Sequence, residues 1–351
     1  MSVENGVLYP MDPPPGMVRD IDQTAESAPL VVITAVFFPL ATLCMIIRIY
    51  TRTCIVCKLS FDDYLMILSW VCNVLLVAFT LNMTNYGMGK HLWNVPFSPD
   101  LFPNFSLNNL LAAIFFCAAT GFAKGSILVF YLRIFPMRSA RILIWTAFAF
   151  IMGYSTASVV ANIFSCDPIR GSWDPEVIAT AKCINRPVFY FLQAGLGIFA
   201  DILTVLIPLP WLKTLRLPKK QKIGVGVLLT MGASVCIVSV IRLQSLSVLH
   251  NDPDLTYNTV MALMWCVLEL NLSIIGGSMA TIKPFLRIAI PRMFTTNYGG
   301  ASASAGIHLE SKDRSAGYQS RSLQSLRPVH SSKKPQTSHF NATSTEELVM
   351  A

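Results

Sequence analysis

The sequence predicts an all-α polytopic membrane protein with seven transmembrane helices, its N-terminus outside and its C-terminus cytosolic. Three observations carry that prediction. Of 351 residues, 53% are hydrophobic and only 13% charged, whereas a soluble domain is about 25% charged. The apolar residues are gathered into blocks of the roughly 20 residues needed to cross the hydrocarbon core. Finally, Lys and Arg crowd into alternate connections between the blocks, as the positive-inside rule requires. The net charge of +8 follows from that topology and implies no nucleic-acid partner.

The spans fall at about 29–50, 64–84, 108–134, 141–164, 187–211, 224–249 and 257–282, which together define a membrane domain over 29–287. Pro208 and Pro210 end the fifth block and Pro284 the seventh, since proline stops a helix. The first 28 residues contain acids and the run "DPPPG". They form a short outer tail without the basic and apolar regions of a cleavable signal peptide. Residues 288–351 are rich in Ser, Thr, Gly and Lys and lack apolar periodicity, the composition of a disordered cytosolic tail.

Orientation follows from the basic loops. Arg48, Arg52 and Lys58 flank the end of span one; Arg133, Arg138 and Arg141 join spans three and four. Lys213, Arg216, Lys219, Lys220 and Lys222 follow span five, and Lys283, Arg287 and Arg292 follow span seven. The N-terminal tail has only Arg19, the loop after span two Lys90 and that after span six none, whereas Arg170, Lys182 and Arg186 after span four are offset by Asp167, Asp174 and Glu176. The sequons at Asn82 and Asn104 fall on the predicted outer side and are candidate glycosylation sites; Asn341 falls on the cytosolic side.

Cys166 and Cys183 share the outer loop after span four. An oxidising compartment permits a disulfide there, which would close the loop over the mouth of the bundle. Spacing alone does not establish the required Cα separation, roughly 4.4–6.8 Å. "CIVC" (Cys54 and Cys57) lacks the two further ligands of a zinc site and reads as two ordinary thiols or a palmitoylation site. No metal or cofactor is called for.

Four ionisable residues lie deep in spans: Lys124, Asp201, Arg242 and Glu269. Charges in a bilayer are costly and usually face the bundle interior in pairs. Helical rise places Lys124 at roughly 24 Å, Asp201 at roughly 21 Å, Glu269 at roughly 18 Å and Arg242 at roughly 10 Å from the outer ends of their spans. Lys124 therefore suits Asp201, and Glu269 suits Arg242 or Lys124. The set is a candidate ligand pocket or a structural network between helices. Asp62 and Asp63 open span two just after Ser60. Carboxylates there cap a helix start, and Arg48, Arg52 and Arg133 share their level. One aspartate is expected to cap while the other pairs with an arginine as a latch.

The ordered set "RIYTR", "FDDYLMILSW", "YGMGKH", "KGSILVFYLRIFP", "CDPIRGSW", "GIFADILTVLIPLPWLKTLRLPKKQKIGV" and "WCVLELNLSIIGGSMATIKP" resembles the fungal rhodopsin-domain family of seven-span membrane proteins. That resemblance places the family pattern on Arg48, Asp62, Asp63, Gly87, Gly89, His91, Arg133, Cys166, Trp173, Cys183, Asp201, Pro208, Trp211, Arg242, Glu269 and Pro284. It implies a receptor-like protein, though not a retinal pigment: span seven carries Glu269 at its middle and its only lysine, Lys283, at its edge.

The function expected is sensing of a small-molecule or peptide ligand at the outer side, in the plasma membrane rather than an internal one. The basic loop Lys213–Lys222 and the tail would address a cytosolic G protein or other signalling partner. The alternative is a transporter or accessory protein of secondary metabolism. No HExxH or Ser/His/Asp constellation lies at membrane depth, so no enzyme activity is expected.

Overall fold

The computed structural model describes the backbone of residues 2–4, 7–20, 24–98, 100–178, 180–214, 219–252 and 254–289. Side chains before Tyr9, at 212–225, 227 and 250–251, and beyond Met279 are not described. The basic side chains of Lys213–Lys222 and the tail from residue 290 on therefore lie outside the described residues.

Among the described residues, seven helices have the length and hydropathy of membrane spans. They are α1 (Ala28–Tyr50, continued by a π turn over Thr51–Ile55), α2 (Phe61–Asn82), α3 (Leu101–Ile134) and α4 (Arg138–Ile163), then, beyond the α4 loop, α6 (Arg186–Leu206), α8 (Lys219–Asn251) and α9 (Leu255–Ala289). Two short helices, α5 (Pro175–Ile178) and α7 (Leu209–Thr214), lie in connections. Strands β1 (Ser2–Glu4) and β2 (Val7–Tyr9) form an N-terminal hairpin, and β3 (Cys166–Asp167) pairs with β4 (Lys182–Cys183) in the α4–α6 loop. The two largest departures from the expected boundaries are in α3 and α9. Helix α3 starts at Leu101 and takes Pro103 into its first turn, where the missing N–H costs nothing. Helix α9 runs through Pro284 to Ala289; one lost backbone bond is tolerable in a long membrane helix.

The helices are inside-out relative to those of a soluble protein. On α1 the buried stripe includes Leu30, Thr34, Ala41, Met45 and Arg48, while Val32, Val36, Leu40, Leu43 and Ile46 are exposed. Both stripes follow the three-to-four-residue spacing of one helix face. The polar groups thus turn inward and the branched aliphatics face the surroundings, as lipid requires. Helix α9 is the central post: 78% of its apolar window is buried, against 28% for α1 and α4. It packs against α8, α1, α3 and α2.

At the disulfide-bearing end, the α2–α3 connection is tied to the starts of α1 and α9. Gly89 has φ +90°, and a Cβ there would meet backbone atoms of Glu26 and Ser27 at 3.0–3.2 Å. Only glycine accepts both the left-handed backbone and that approach. Its carbonyl accepts from Glu26 N (2.9 Å) and its N–H donates to Thr256 O (3.2 Å). His91 stacks between Trp93 and Tyr257 and pairs with Asp254, whose other oxygen accepts from Leu92 N at 2.8 Å. The "YGMGKH" stretch is thereby a structural knot.

Small residues allow the close crossings expected in lipid. At Gly121 on α3 a Cβ would lie 2.4 Å from Ser155 Oγ and 2.6 Å from its Cβ on α4. Gly121→Ala is expected to destabilise the bundle by about 1–3 kcal/mol through overpacking, read as a lower melting temperature of the detergent-solubilised protein. An unchanged melting curve would show that this crossing has slack.

Candidate functional site

Two polar layers and a largely apolar cavity follow one another along the bundle. The first lies at the end opposite the disulfide. Arg48 on α1 donates from Nε to Asp63 Oδ1 (2.9 Å), from Nη2 to Asp62 Oδ2 (2.8 Å) and from Nη1 to Gly277 O on α9 (2.8 Å). Arg52 adds contacts to Asp62 (3.2 Å) and Asp63 (3.3 Å). All four side chains are buried. Asp63 also accepts from Ser60 N (3.1 Å), capping α2, and Ser126 Oγ on α3 donates to Asp62 O (2.6 Å). The expected division of labour between the aspartates is thus corrected: both are ion-paired, and Asp63 caps as well. Arginine's planar fork makes this economical, because one guanidinium reaches two carboxylates and a carbonyl at once. Arg133 joins differently, donating to Ser60 Oγ at 3.0 Å.

The second layer is the pair of mid-span ion pairs. Lys124 on α3 meets Asp201 on α6 at 3.1 Å and also donates to Gly197 O (3.1 Å), while Asp201 accepts from Ser239 on α8 (2.9 Å). Arg242 on α8 meets Glu269 on α9 through Nε at 2.7 Å and lies over the Phe116 ring. Of the two partners the sequence left open for Glu269, the structure pairs it with Arg242. Beside them Asn73 donates to Asn271 (3.0 Å).

The third is a cavity of about 500 Å³ between this charge layer and the disulfide-bearing end. Its walls are mostly apolar, with Phe105, Phe116, Tyr190, Leu246 and Leu263 among them; Arg242 and Gln193 lie at its inner end, and Trp173, Asp174, Pro175 and Ile178 of the α4–α6 loop roof it. The Cys166–Cys183 disulfide and the β3–β4 pairing beside it hold that roof in place. Its size and lining fit a small-molecule site.

The four mid-span charges therefore do not enclose one pocket. Arg242 lines the large cavity, whereas Lys124 and Asp201 line a separate space of only about 30 Å³. Asn82 and Asn104 both lie at the disulfide end; their side-chain amides donate to Asn108 Oδ1 and Asp100 O. The sequence reading missed Arg186, Asp254 and the role of Trp173 as a roof. Arg186 lies at the first turn of α6 in a loop of mixed charge, so nothing in its local pattern set it apart.

The fungal rhodopsin domain profile matches residues 47–288, well over half of the chain. The chain belongs to the fungal rhodopsin domain family. It is 23% identical, over 80% of its length and 78% of the relative's, to the polyenoic acids biosynthesis gene cluster protein Ba17b of Metarhizium anisopliae. It is 25% identical to fugralins biosynthesis cluster protein 2 of Gibberella zeae, over 74% of this chain and 65% of that one. Identity to receptor GIN3 of Arthrobotrys oligospora is 22%, over 64% of this chain and 54% of the receptor. The chain thus spans less than two thirds of the last two proteins. No solved structure matches.

Removing Arg48 would leave two buried carboxylates with Arg52 alone. Arg48→Met is expected to cost about 3–5 kcal/mol, the usual penalty for breaking a buried ion pair from one side. Adding Asp63→Asn should return part of that loss. A double-mutant cycle read by thermal unfolding in detergent checks this; purely additive effects would mean the pair is not coupled.

Proposed function

We propose that this fungal rhodopsin domain protein is a receptor-like sensor of the plasma membrane that admits a small, largely apolar ligand to the roofed cavity. The cavity carries the reading: its walls are mostly apolar, its inner end is closed by an ion-paired arginine, and a disulfide-held loop covers it. The basic connections at the Arg48 end support a cytosolic placement for that end by the positive-inside rule, which turns the cavity outward. Output would pass to a G protein or another cytosolic signalling partner through the Lys213–Lys222 connection and the tail. Likeness to a protein named as a receptor supports a sensing role. The reading assigns no catalytic step, retinal or metal.

A second reading has its own support, because two relatives are named as proteins of biosynthetic clusters. On that reading the chain is an accessory or transport protein of secondary metabolism, and the cavity holds a product or intermediate.

Ala113 lines the cavity, so Ala113→Trp should fill it without touching an ion pair. Cells expressing the tagged protein with a calcium reporter would be challenged with organic extracts of fungal cultures. The sensor reading expects a response that Ala113→Trp abolishes at equal surface expression. Absence of any response, together with altered metabolite output in a deletion strain or vesicle uptake by the purified protein, would transfer support to the second reading.

A further inference from the structure

We infer that the cavity takes an amphipathic organic acid, its anionic group held by Arg186 beneath the roof and its apolar body running inward to a polar floor at Gln193 and Arg242. The inference rests on the reading of this cavity as the ligand site.

Charge accounting separates Arg186 from Arg242, the other arginine that lines the cavity. Arg48, Arg52, Lys124 and Arg242 each have a carboxylate partner. Arg186 is half-buried and lines the cavity, yet no carboxylate lies within ion-pair distance of it among the described residues. It donates only to neutral groups, Ser172 O and Cys166 Sγ, both at 3.2 Å and both from Nη2. Nε and Nη1 have no acceptor among the described residues, which leaves one edge of the fork open for a two-oxygen anion. The position adds to the effect. Arg186 is the first residue of α6, where the helix dipole already presents positive charge. An anion there would compensate both.

The other end of the cavity is polar in a different way. Gln193 donates Nε2 to Cys117 Sγ at 2.9 Å, and its Oε1 is buried without a partner. Flipping the amide exchanges which atom is orphaned and still leaves one unsatisfied, an expensive state for a buried polar group. Arg242 uses Nε on Glu269, and its two terminal nitrogens have no hydrogen-bond partner among the described residues. A hydroxyl or carbonyl at the far end of a ligand would satisfy these groups. Seven residues of α6 separate Arg186 from Gln193, about 10 Å of helical rise. Between them the walls are Phe105, Leu110, Phe116, Tyr190, Leu246 and Leu263. A cavity of about 500 Å³ is drug-sized, which suits a single-chain or compact acid and not a two-chain anionic lipid.

The test uses the full chain in phosphatidylcholine nanodiscs and a fluorescent polyene fatty acid, cis-parinaric acid, with its methyl ester as the neutral control. The Ala113→Trp protein supplies the background for partitioning into lipid. The acid is expected to bind at least about tenfold more tightly than the ester, the scale of one charge-assisted interaction. Arg186→Gln should erase that preference, and Arg186→Lys, which keeps the charge, should retain most of it; both variants must melt close to wild type. Equal binding of acid and ester, lost in Ala113→Trp, would overturn the anionic assignment while leaving the cavity as a ligand site. Preference for the acid that survives Arg186→Gln would overturn the role of Arg186. Displacement of the probe by phosphatidylglycerol in the disc would assign the site to a membrane lipid instead. Binding of neither probe above background would remove the inference and count against the cavity reading as well.

Discussion

In lipid, apolar side chains gain little by leaving the hydrocarbon for one another, so close packing and polar contacts must hold a helix bundle together. Arg48 is the contact on which most of the arrangement at one end depends. Its guanidinium joins α1 to the first turn of α2 and to the Gly277 carbonyl of α9, and Asp62 in turn is tied through its carbonyl to Ser126 on α3. Four helices thus meet around two buried arginines and two aspartates, α3 through the backbone carbonyl of Asp62. Gly277 belongs to this construction: a Cβ there would meet Met66 Cε at 2.4 Å and Ile127 at 3.3 Å, so its small size lets α9 approach α2 and α3. The attractive interaction and the steric allowance are two halves of one crossing.

The remaining polar groups follow the same economy. Each charge at mid-depth has its opposite on a neighbouring helix, Lys124 with Asp201 across α3 and α6, Arg242 with Glu269 across α8 and α9. Three of the four also take a further contact: Lys124 from a carbonyl, Asp201 from a hydroxyl and Arg242 from a ring. Such pairs offset the cost of desolvation only with good geometry, and a bilayer makes that demand stricter. Arg186 breaks the pattern: it sits beside a cavity, has no carboxylate within ion-pair distance among the described residues, and lies near the end of the bundle where polar surroundings begin.

Much of this was legible from the residues alone. Seven apolar blocks and the alternation of basic loops predicted the spans, because a membrane imposes length and charge rules that single sequences obey directly. Lys124 with Asp201 followed from helical rise, which turns residue number into depth. The Asp62–Asp63 cluster was legible as a cap and an ion pair but not in full, since one arginine serving both aspartates depends on how α1 turns about its axis. The cavity was not legible. Its walls are Phe, Leu and Ala, the same residues that fill a closed core, and an unfilled space leaves no mark on composition. Asp254 was missed for a related reason: its partner His91 is 163 residues away, and only the fold brings them together.

Helix α9 connects the layers. Leu263 and Cys266 line the cavity, Glu269 holds Arg242, Asn271 accepts from Asn73, and Gly277 receives Arg48. From Cys266 to Gly277 is about 16 Å along the helix by rise, so both ends belong to one continuous helix. Spatial continuity alone does not establish coupling; a ligand shifts an equilibrium only by binding one state more tightly than another. The geometry identifies where such a difference would arise on the proposed reading. Arg242 faces the cavity while its Nε is committed to Glu269, so a ligand group that engages its terminal nitrogens competes for the same guanidinium charge. Any loosening of that pair acts on α9 at its middle, and α9 reaches the Arg48 cluster through a carbonyl contact rather than an ion pair. That carbonyl bond is the weakest of Arg48's three contacts in electrostatic terms, since its acceptor is neutral.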